Sequence, residues 1–212
     1  MQTKILKLAL FLGLVFPIYI SADDIKIKKQ NFFKLVVPAV DKVYNELNQK
    51  YKTLKKYIDN NETQNSYVNR YMQAYKAKNH QDLLKKVKPH PKSIAIAQAA
   101  IESGWATSRF TKVANNLFGV WSFNKNEPRV PAIQKRGNKI IYVKKYKTIA
   151  DSIRDYYKVL ALGRSYDEFR ELKMKVDNPY KLVKKLNMYS EKRAKYSKEL
   201  AQIIKHNKLY SY

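Results

Sequence analysis

The sequence predicts a mainly α (α+β) protein, in which an N-terminal helical hairpin precedes a larger helical domain carrying one small β-hairpin. Three observations lead there. Val40, Tyr44, Leu47, Tyr51, Leu54 and Ile58 are spaced by four and three in alternation, which lines one apolar seam along a helix. Helical patterns return in most segments toward the C-terminus. Between Val130 and Tyr146 the pattern changes to the weak alternation around "GNKIIYVKKY", as paired strands require.

In chain order, Lys4 and Lys7 precede the apolar run "LALFLGLVFPIYI", and "ISA" at Ile20 to Ala22 ends in small residues. That is the pattern of a secretory signal cleaved after Ala22. The run is short of the roughly 20 residues of a comfortable membrane span, so a leader is favoured over an anchor. The expected organisation is a leader at 1–22, a helical extension at 23–80 and the main domain at 81–212. The extension turns strongly helical from Gln30, with Pro38 marking a kink or the true start. "DNNET" at Asp59 to Thr63 is a turn, and Tyr67, Tyr71 and Tyr75 lie on one face of a second helix.

Through the prolines of "DLLKKVKPHP" the chain enters a helix predicted from Pro91 to Ser103, with Gly104 as its stop. "NNLFGVWSF" at Asn115 to Phe123 is an aromatic, amide-rich loop. The β-hairpin follows, with Gly137-Asn138 at its turn. Helices resume at "TIADSIRDYYKVLAL", "YDEFRELKM", "NPYKLVKKL" and "EKRAKYSKELAQIIKHN".

Composition bounds the function. The 212 residues are 45% hydrophobic, enough for one substantial core plus an accessory element. Lys and Arg number 43 against 17 Asp and Glu, and the formal charge of +26 points to polyanionic surroundings: nucleic acid, envelope polymer or lipid headgroups. With no cysteine there is no thiol nucleophile and no cysteine-ligated zinc. His80, His90 and His206 lack metal-ligand spacing, and no glycine-rich phosphate loop or nucleic-acid module is recognisable. No metal, cofactor or nucleic-acid partner is therefore expected.

One residue stands out from its helix. Ile94, Ala95, Ile96, Ala97, Ala99, Ala100 and Ile101 surround the 91–103 helix with apolar or small groups. Gln98 and Glu102 break the pattern four residues apart, on one side. A carboxyl group leaving a buried helix near its negative end has its charged form disfavoured twice, by lost hydration and by the helix carbonyls. A raised pKa suits a general acid for glycosidic cleavage, which must protonate the departing sugar oxygen. The plainer reading is a glutamate that reaches water or pairs with a lysine. Trp105, Phe118, Trp121 and Phe123 offer stacking walls, and Gln98, Asn115 and Asn116 offer contacts to hydroxyl or acetamido groups.

"AIAQAAIESGWATSRF" followed by "NNLFGVW" resembles the signature of the bacterial glucosaminidase superfamily, glycoside hydrolase family 73, with its lysozyme-like fold. "KKQNFFKLVVPAV", "DLLKKVKPHPKSIAIAQAA" and "LNMYSEKRAKYSKEL" are similar to its Bax-like branch, so the resemblance covers nearly the whole mature chain. It implies that Glu102 is the catalytic acid, that Tyr189 lies beside the reacting sugar, and that Tyr196 is a second aromatic of the same motif. Ala106 stands where the family usually has glycine. Many members carry a second glutamate in the β-lobe, yet Val130 to Tyr146 contains no acid; Glu127, Asp151 and Asp155 are the nearest.

The expectation is an exported endo-β-N-acetylglucosaminidase acting on peptidoglycan glycan strands, peripherally associated with the anionic envelope. The alternatives are a muramidase or lytic transglycosylase, or a non-catalytic envelope-binding protein. Without a second carboxylate, the substrate's own 2-acetamido oxygen is the substitute nucleophile.

Overall fold

The computed structural model describes residues 22–136 and 139–212. The predicted leader lies outside the described residues except for Ala22. Among the described residues, no helix is long and apolar enough to cross a membrane. The order is α1 (Ala22–Asp59), α2 (Ser66–Ala74), α3 (His80–Val87), α4 (Lys92–Ser103), α5 (Arg109–Ala114), β1 (Arg129–Arg136), β2 (Lys139–Lys144), α6 (Ile149–Leu162), α7 (Asp167–Lys175), α8 (Pro179–Leu182) and α9 (Ala194–His206). A 3₁₀ turn at Val183–Leu186 extends α8.

α1 begins before Gln30 and runs through Pro38 as one helix. Pro38 is exposed, so the carbonyl that its missing N–H leaves unpaired is open to water. The buried line is Phe32, Val36, Val40, Val43, Leu47 and Leu54, stepping by about a turn. The expected tyrosines Tyr44 and Tyr51 flank it half-buried. At 1.5 Å per residue these 38 residues span about 57 Å, long enough to serve two cores. Phe32 to Leu47 belong to the main core and Leu54 to a second cluster with Val68, Tyr75, Leu83, Leu84 and Val87. The hairpin is antiparallel: Tyr57 meets Tyr67 at 6.0 Å, and Lys50 lies 5.0 Å over the Tyr71 ring.

α4 lies in the middle of the main core. Ile94, Ala95, Ile96, Ala97 and Ala99 have no exposed surface, and the alanines let α1 and α9 pack against it. α6 adds Ile153, Tyr156 and Leu160, and α9 adds Tyr196, Leu200 and Ile204. Burying each of the larger side chains contributes roughly 1.5–3 kcal/mol. Caps define the helix starts: Asn65, Asn79 and Ser108 accept from backbone N–H groups three residues on, and Thr148 with Asp151 forms a reciprocal capping box. α3 and α5 are additional to the predicted helices. Each is short, and its cap carries more of the signal than any periodicity.

β1 and β2 pair antiparallel, with Val130 opposite Val143 and Arg136 opposite Lys139, and a register irregularity between Pro131 and Lys135. The predicted Gly137-Asn138 turn lies outside the described residues. Trp121 adds an isolated bridge to Val143, which joins the 115–123 loop to the root of this lobe.

Candidate active site

The site begins where α4 ends. Gly104 takes a left-handed conformation, φ +58°, and the backbone closes a Schellman motif: Trp105 N–H donates to the Ala100 carbonyl at 2.8 Å and Gly104 N–H to that of Ile101 at 3.3 Å. The Ser103 hydroxyl donates to the Ala99 carbonyl at 2.5 Å and accepts from Ala106 N–H at 2.7 Å. The carbonyls at 99, 100 and 101 are therefore satisfied.

Trp105 and Ala106 follow Gly104 into the same left-handed region, with φ +63° and +61°. Such a conformation costs an L-residue roughly 1–2 kcal/mol. Ala106→Gly is expected to stabilise the protein by about 1 kcal/mol and to raise its melting temperature by about 3 °C, without loss of turnover. Calorimetry on the two proteins checks this; a lower melting temperature would mean that packing of the Ala106 methyl outweighs the backbone relief.

Burial raises the Glu102 carboxyl from 4.5 to about 7. A hydrogen bond from Tyr196 and the Lys192 ammonium act in the opposite direction, and Glu199 adds to the rise. Lys192 and Glu199 pair with each other at 3.1 Å. The residue as a whole keeps part of its surface exposed, and a carboxyl near neutrality can both hold and release a proton.

Behind Glu102 runs a buried polar chain. The Tyr196 hydroxyl donates to Glu102 Oε1 at 2.8 Å and accepts from Gln98 Nε2 at 2.9 Å. Gln98 Oε1 accepts from the Tyr156 hydroxyl at 2.5 Å, and that hydroxyl lies 3.1 Å from His90 Nε2. The Tyr189 ring stacks on Tyr196, 5.6 Å between centroids and 10° between planes. Burial, then Glu102, holds the Tyr189 hydroxyl firmly protonated.

Glu102, Gln98, Tyr189 and Tyr196 are thus brought together, and of the three partners only Tyr189 keeps any exposed surface, at 4%. Gln98 and Tyr196 have no exposed surface, which corrects their reading as substrate contacts: they lie on the buried side of the Glu102 carboxyl. Phe118 is equally buried, stacked 4.1 Å from Tyr156, and is core rather than a platform. Asn116 is buried too; its amide holds the Val120 and Lys144 carbonyls, while its Oδ1 accepts from Val120 N–H. Asn115, in the left-handed position that ends α5, uses its amide on the Tyr146 and Lys147 carbonyls. The amide nitrogens of both asparagines are engaged in closing this loop.

Trp105 packs edge-on against Phe32 at 5.2 Å and Phe33 at 5.9 Å of α1, with Lys29 4.8 Å over its ring. It fastens α1 beside the acid. Trp121 is half-buried and pairs at 6.1 Å with Phe123, which is 65% exposed.

The other carboxylates sit at the root of the β-lobe. Asp155 accepts from Lys144 at 2.8 Å and from the Tyr146 hydroxyl at 2.7 Å. Glu127 accepts from Ser122 at 2.7 Å and lies 3.9 Å from Lys144. Asp151 is occupied by Thr148 and Arg154, which lower its pKa. Among the described residues, no cluster of three His, Asp or Glu could hold a metal. Sequence reasoning missed His90, Tyr156, Lys192 and Glu199. The available signal was a histidine between two prolines and a Tyr-Tyr pair on an amphipathic helix; nothing in the spacing joins them to Glu102.

Residues 77–209 match the family described as mannosyl-glycoprotein endo-beta-N-acetylglucosaminidase, "Glucosaminidase". The exo-glucosaminidase LytG of Bacillus subtilis (strain 168) is 36% identical over 81 residues, covering 36% of this chain and 29% of the relative. The chain therefore matches under a third of the length of that curated relative. The catalytic domain of the autolysin Auto from Listeria monocytogenes is similar in structure, with a TM-score of 0.50 at 19% identity over 94% of this chain and 99% of that domain. The glycoside hydrolase domain of Salmonella typhimurium FlgJ gives a TM-score of 0.46 at 21% identity, over 57% of this chain and 77% of that one.

Proposed function

The chain belongs to the glucosaminidase family, and from that membership we propose that it is an exported peptidoglycan hydrolase, an endo-β-N-acetylglucosaminidase with Glu102 as general acid. The observation that carries the reading is the Glu102 carboxyl, which burial raises to about 7 on a residue that keeps part of its surface exposed. It gives its proton to the glycosidic oxygen as the bond to the anomeric carbon breaks. Tyr189, beside Glu102, orients the sugar.

The second half of the reaction needs a nucleophile. Asp151 and Asp155 are each committed to fixed partners, which favours the substrate's 2-acetamido oxygen. It attacks the anomeric carbon to form an oxazolinium ion, the departing oxygen leaves with the Glu102 proton, and water opens the ring as Glu102 recovers a proton. Glu127 is the enzyme-borne alternative, since its nearest cation is 3.9 Å away. The formal charge of +26 favours peripheral association with anionic wall polymer, weakening as salt rises.

Product analysis on purified sacculi tests the reaction. Reducing N-acetylglucosamine ends within long fragments support it. Release of single terminal sugars would make the enzyme exo-acting, and reducing muramic or anhydro ends would make it a muramidase or lytic transglycosylase. Rates of Glu127→Gln, Asp151→Asn, Asp155→Asn and Tyr189→Phe on one glycan test the mechanism. Each acid variant is expected to retain more activity than Glu102→Gln, with retained anomeric configuration; inversion with one indispensable acid would name that acid as the base.

A further inference from the structure

The hydrogen bonds behind Glu102 form an unbranched relay whose proton directions depend on one another. We propose that His90, acting through Tyr156, Gln98 and Tyr196, is a positioning residue that holds Glu102 in its proton-bearing form. This rests on the reading of Glu102 as the general acid. Each tyrosine hydroxyl has a single proton, and the Gln98 amide presents a donor at one end and an acceptor at the other. A direction set at one end of the relay is therefore imposed on the other.

Two complete arrangements fit the same heavy-atom distances. In the first, His90 Nε2–H donates to Tyr156, Tyr156 to Gln98 Oε1, Gln98 Nε2 to Tyr196, and Tyr196 to the Glu102 carboxylate. In the second, every bond is reversed. Tyr156 donates to His90 Nε2, the Gln98 amide turned by 180° donates to Tyr156 and accepts from Tyr196, and Tyr196 accepts from a protonated Glu102.

The His90 end selects between them. Its Nδ1 lies 3.1 Å from the Pro91 carbonyl oxygen, which can only accept. The first arrangement requires a proton on Nε2, so a neutral ring would turn the Nδ1 lone pair against that carbonyl. An imidazolium would satisfy both contacts, but complete burial opposes it, and so does Lys173 in its charged form, which burial itself lowers to about 7; together they bring His90 down to about 3. The second arrangement leaves a neutral Nδ1–H ring with both nitrogens paired.

The surroundings agree. Tyr156 and Tyr157 of α6 and Phe169 and Lys173 of α7 face the ring, and none of them offers it a counter-charge. Around Glu102 are Tyr156, Tyr166, Tyr189, Tyr196, Lys192 and Glu199. Of these, Lys192 favours the carboxylate, and its pairing with Glu199 offsets part of that pull.

The test uses the full chain. Long-range ¹H–¹⁵N spectra of wild type read the His90 tautomer, and a ¹³C titration reads the Glu102 carboxyl directly in wild type and in Tyr156→Phe, which keeps its ring stacked on Phe118. The expected results are a neutral Nδ1–H ring between about pH 5 and 8 and a Glu102 midpoint lower by roughly half a unit to one unit in the variant. The alkaline limb of kcat/KM should move with it. An Nε2–H ring, or an unchanged Glu102 midpoint in the folded variant, overturns the relay, and if the variant does not fold the wild-type tautomer alone decides. Failure of the general-acid reading looks different: the carboxyl midpoint still moves, but the rate profile does not follow.

Discussion

Glu102→Gln is expected to lower wall-lytic activity by at least about 10²-fold while making the protein more stable above neutral pH. Both effects have one cause. The folded carboxyl titrates at about 7 against 4.5 when unperturbed, so between these values the native state binds more protons than the unfolded state. Stability then falls as pH rises through that window, and the full cost of ionising Glu102 is present above it. From the difference of 2.5 units (7 − 4.5), that cost is up to about 3 kcal/mol. Glutamine carries no charge, and its amide can pair with the Tyr196 hydroxyl in either direction. Melting curves of the two proteins should therefore coincide near pH 4.5 and separate by pH 8, with the inactive variant higher. Near wild-type turnover by folded Glu102→Gln would sink the assignment, and parallel melting curves at all pH values would show that burial does not perturb the carboxyl.

Phe32→Ala is expected to be the most damaging single change distant in sequence from the site. The ring has no exposed surface and packs edge-on against Phe33 at 5.4 Å and Trp105 at 5.2 Å. Removing such a side chain costs roughly 3–5 kcal/mol, and in a chain of this size the melting temperature should fall by roughly 10 °C or more. Because Trp105 lies three residues past Glu102, turnover of the remaining folded protein should fall as well. Denaturant unfolding and kcat on the same preparation measure the two. A melting temperature within about 2 °C of wild type would make α1 a separable appendage, not a wall of the catalytic core.

What the sequence revealed follows from what periodicity can carry. The 91–103 helix, its glycine stop and the carboxylate near its end were legible because a helix apolar on all sides makes Glu102 conspicuous. The hairpin lobe was legible from alternation. Pro38 misdirected the reading of α1, since its effect depends on whether the lost hydrogen bond faces water, and only packing decides that. That Glu102 and the tyrosines of "MYSEKRAKY" lie together was legible, and the placement of their neighbours less so. An aromatic or amide near a carboxylate in sequence can face either side of it. Phe118 and Asn116 face inward because the 115–123 loop must close on Lys144 and Tyr156, contacts that span 28 and 38 residues of chain (144 − 116 and 156 − 118). His90 was out of reach for the same reason, its link to Tyr156 crossing 66 residues.

The long first helix also dictates an order of events in the life of the chain. Its apolar face is made first, yet the surfaces that cover it, on α4, α6 and α9, are made later, and Lys29 finds Asn207 across 178 residues. Loop-closure entropy must be met before those contacts return anything, so α1 alone has little reason to settle. A nascent chain cannot complete its main core until α9 has emerged. Until then Phe32, Val36 and Val40 lack the cover that the finished core gives them.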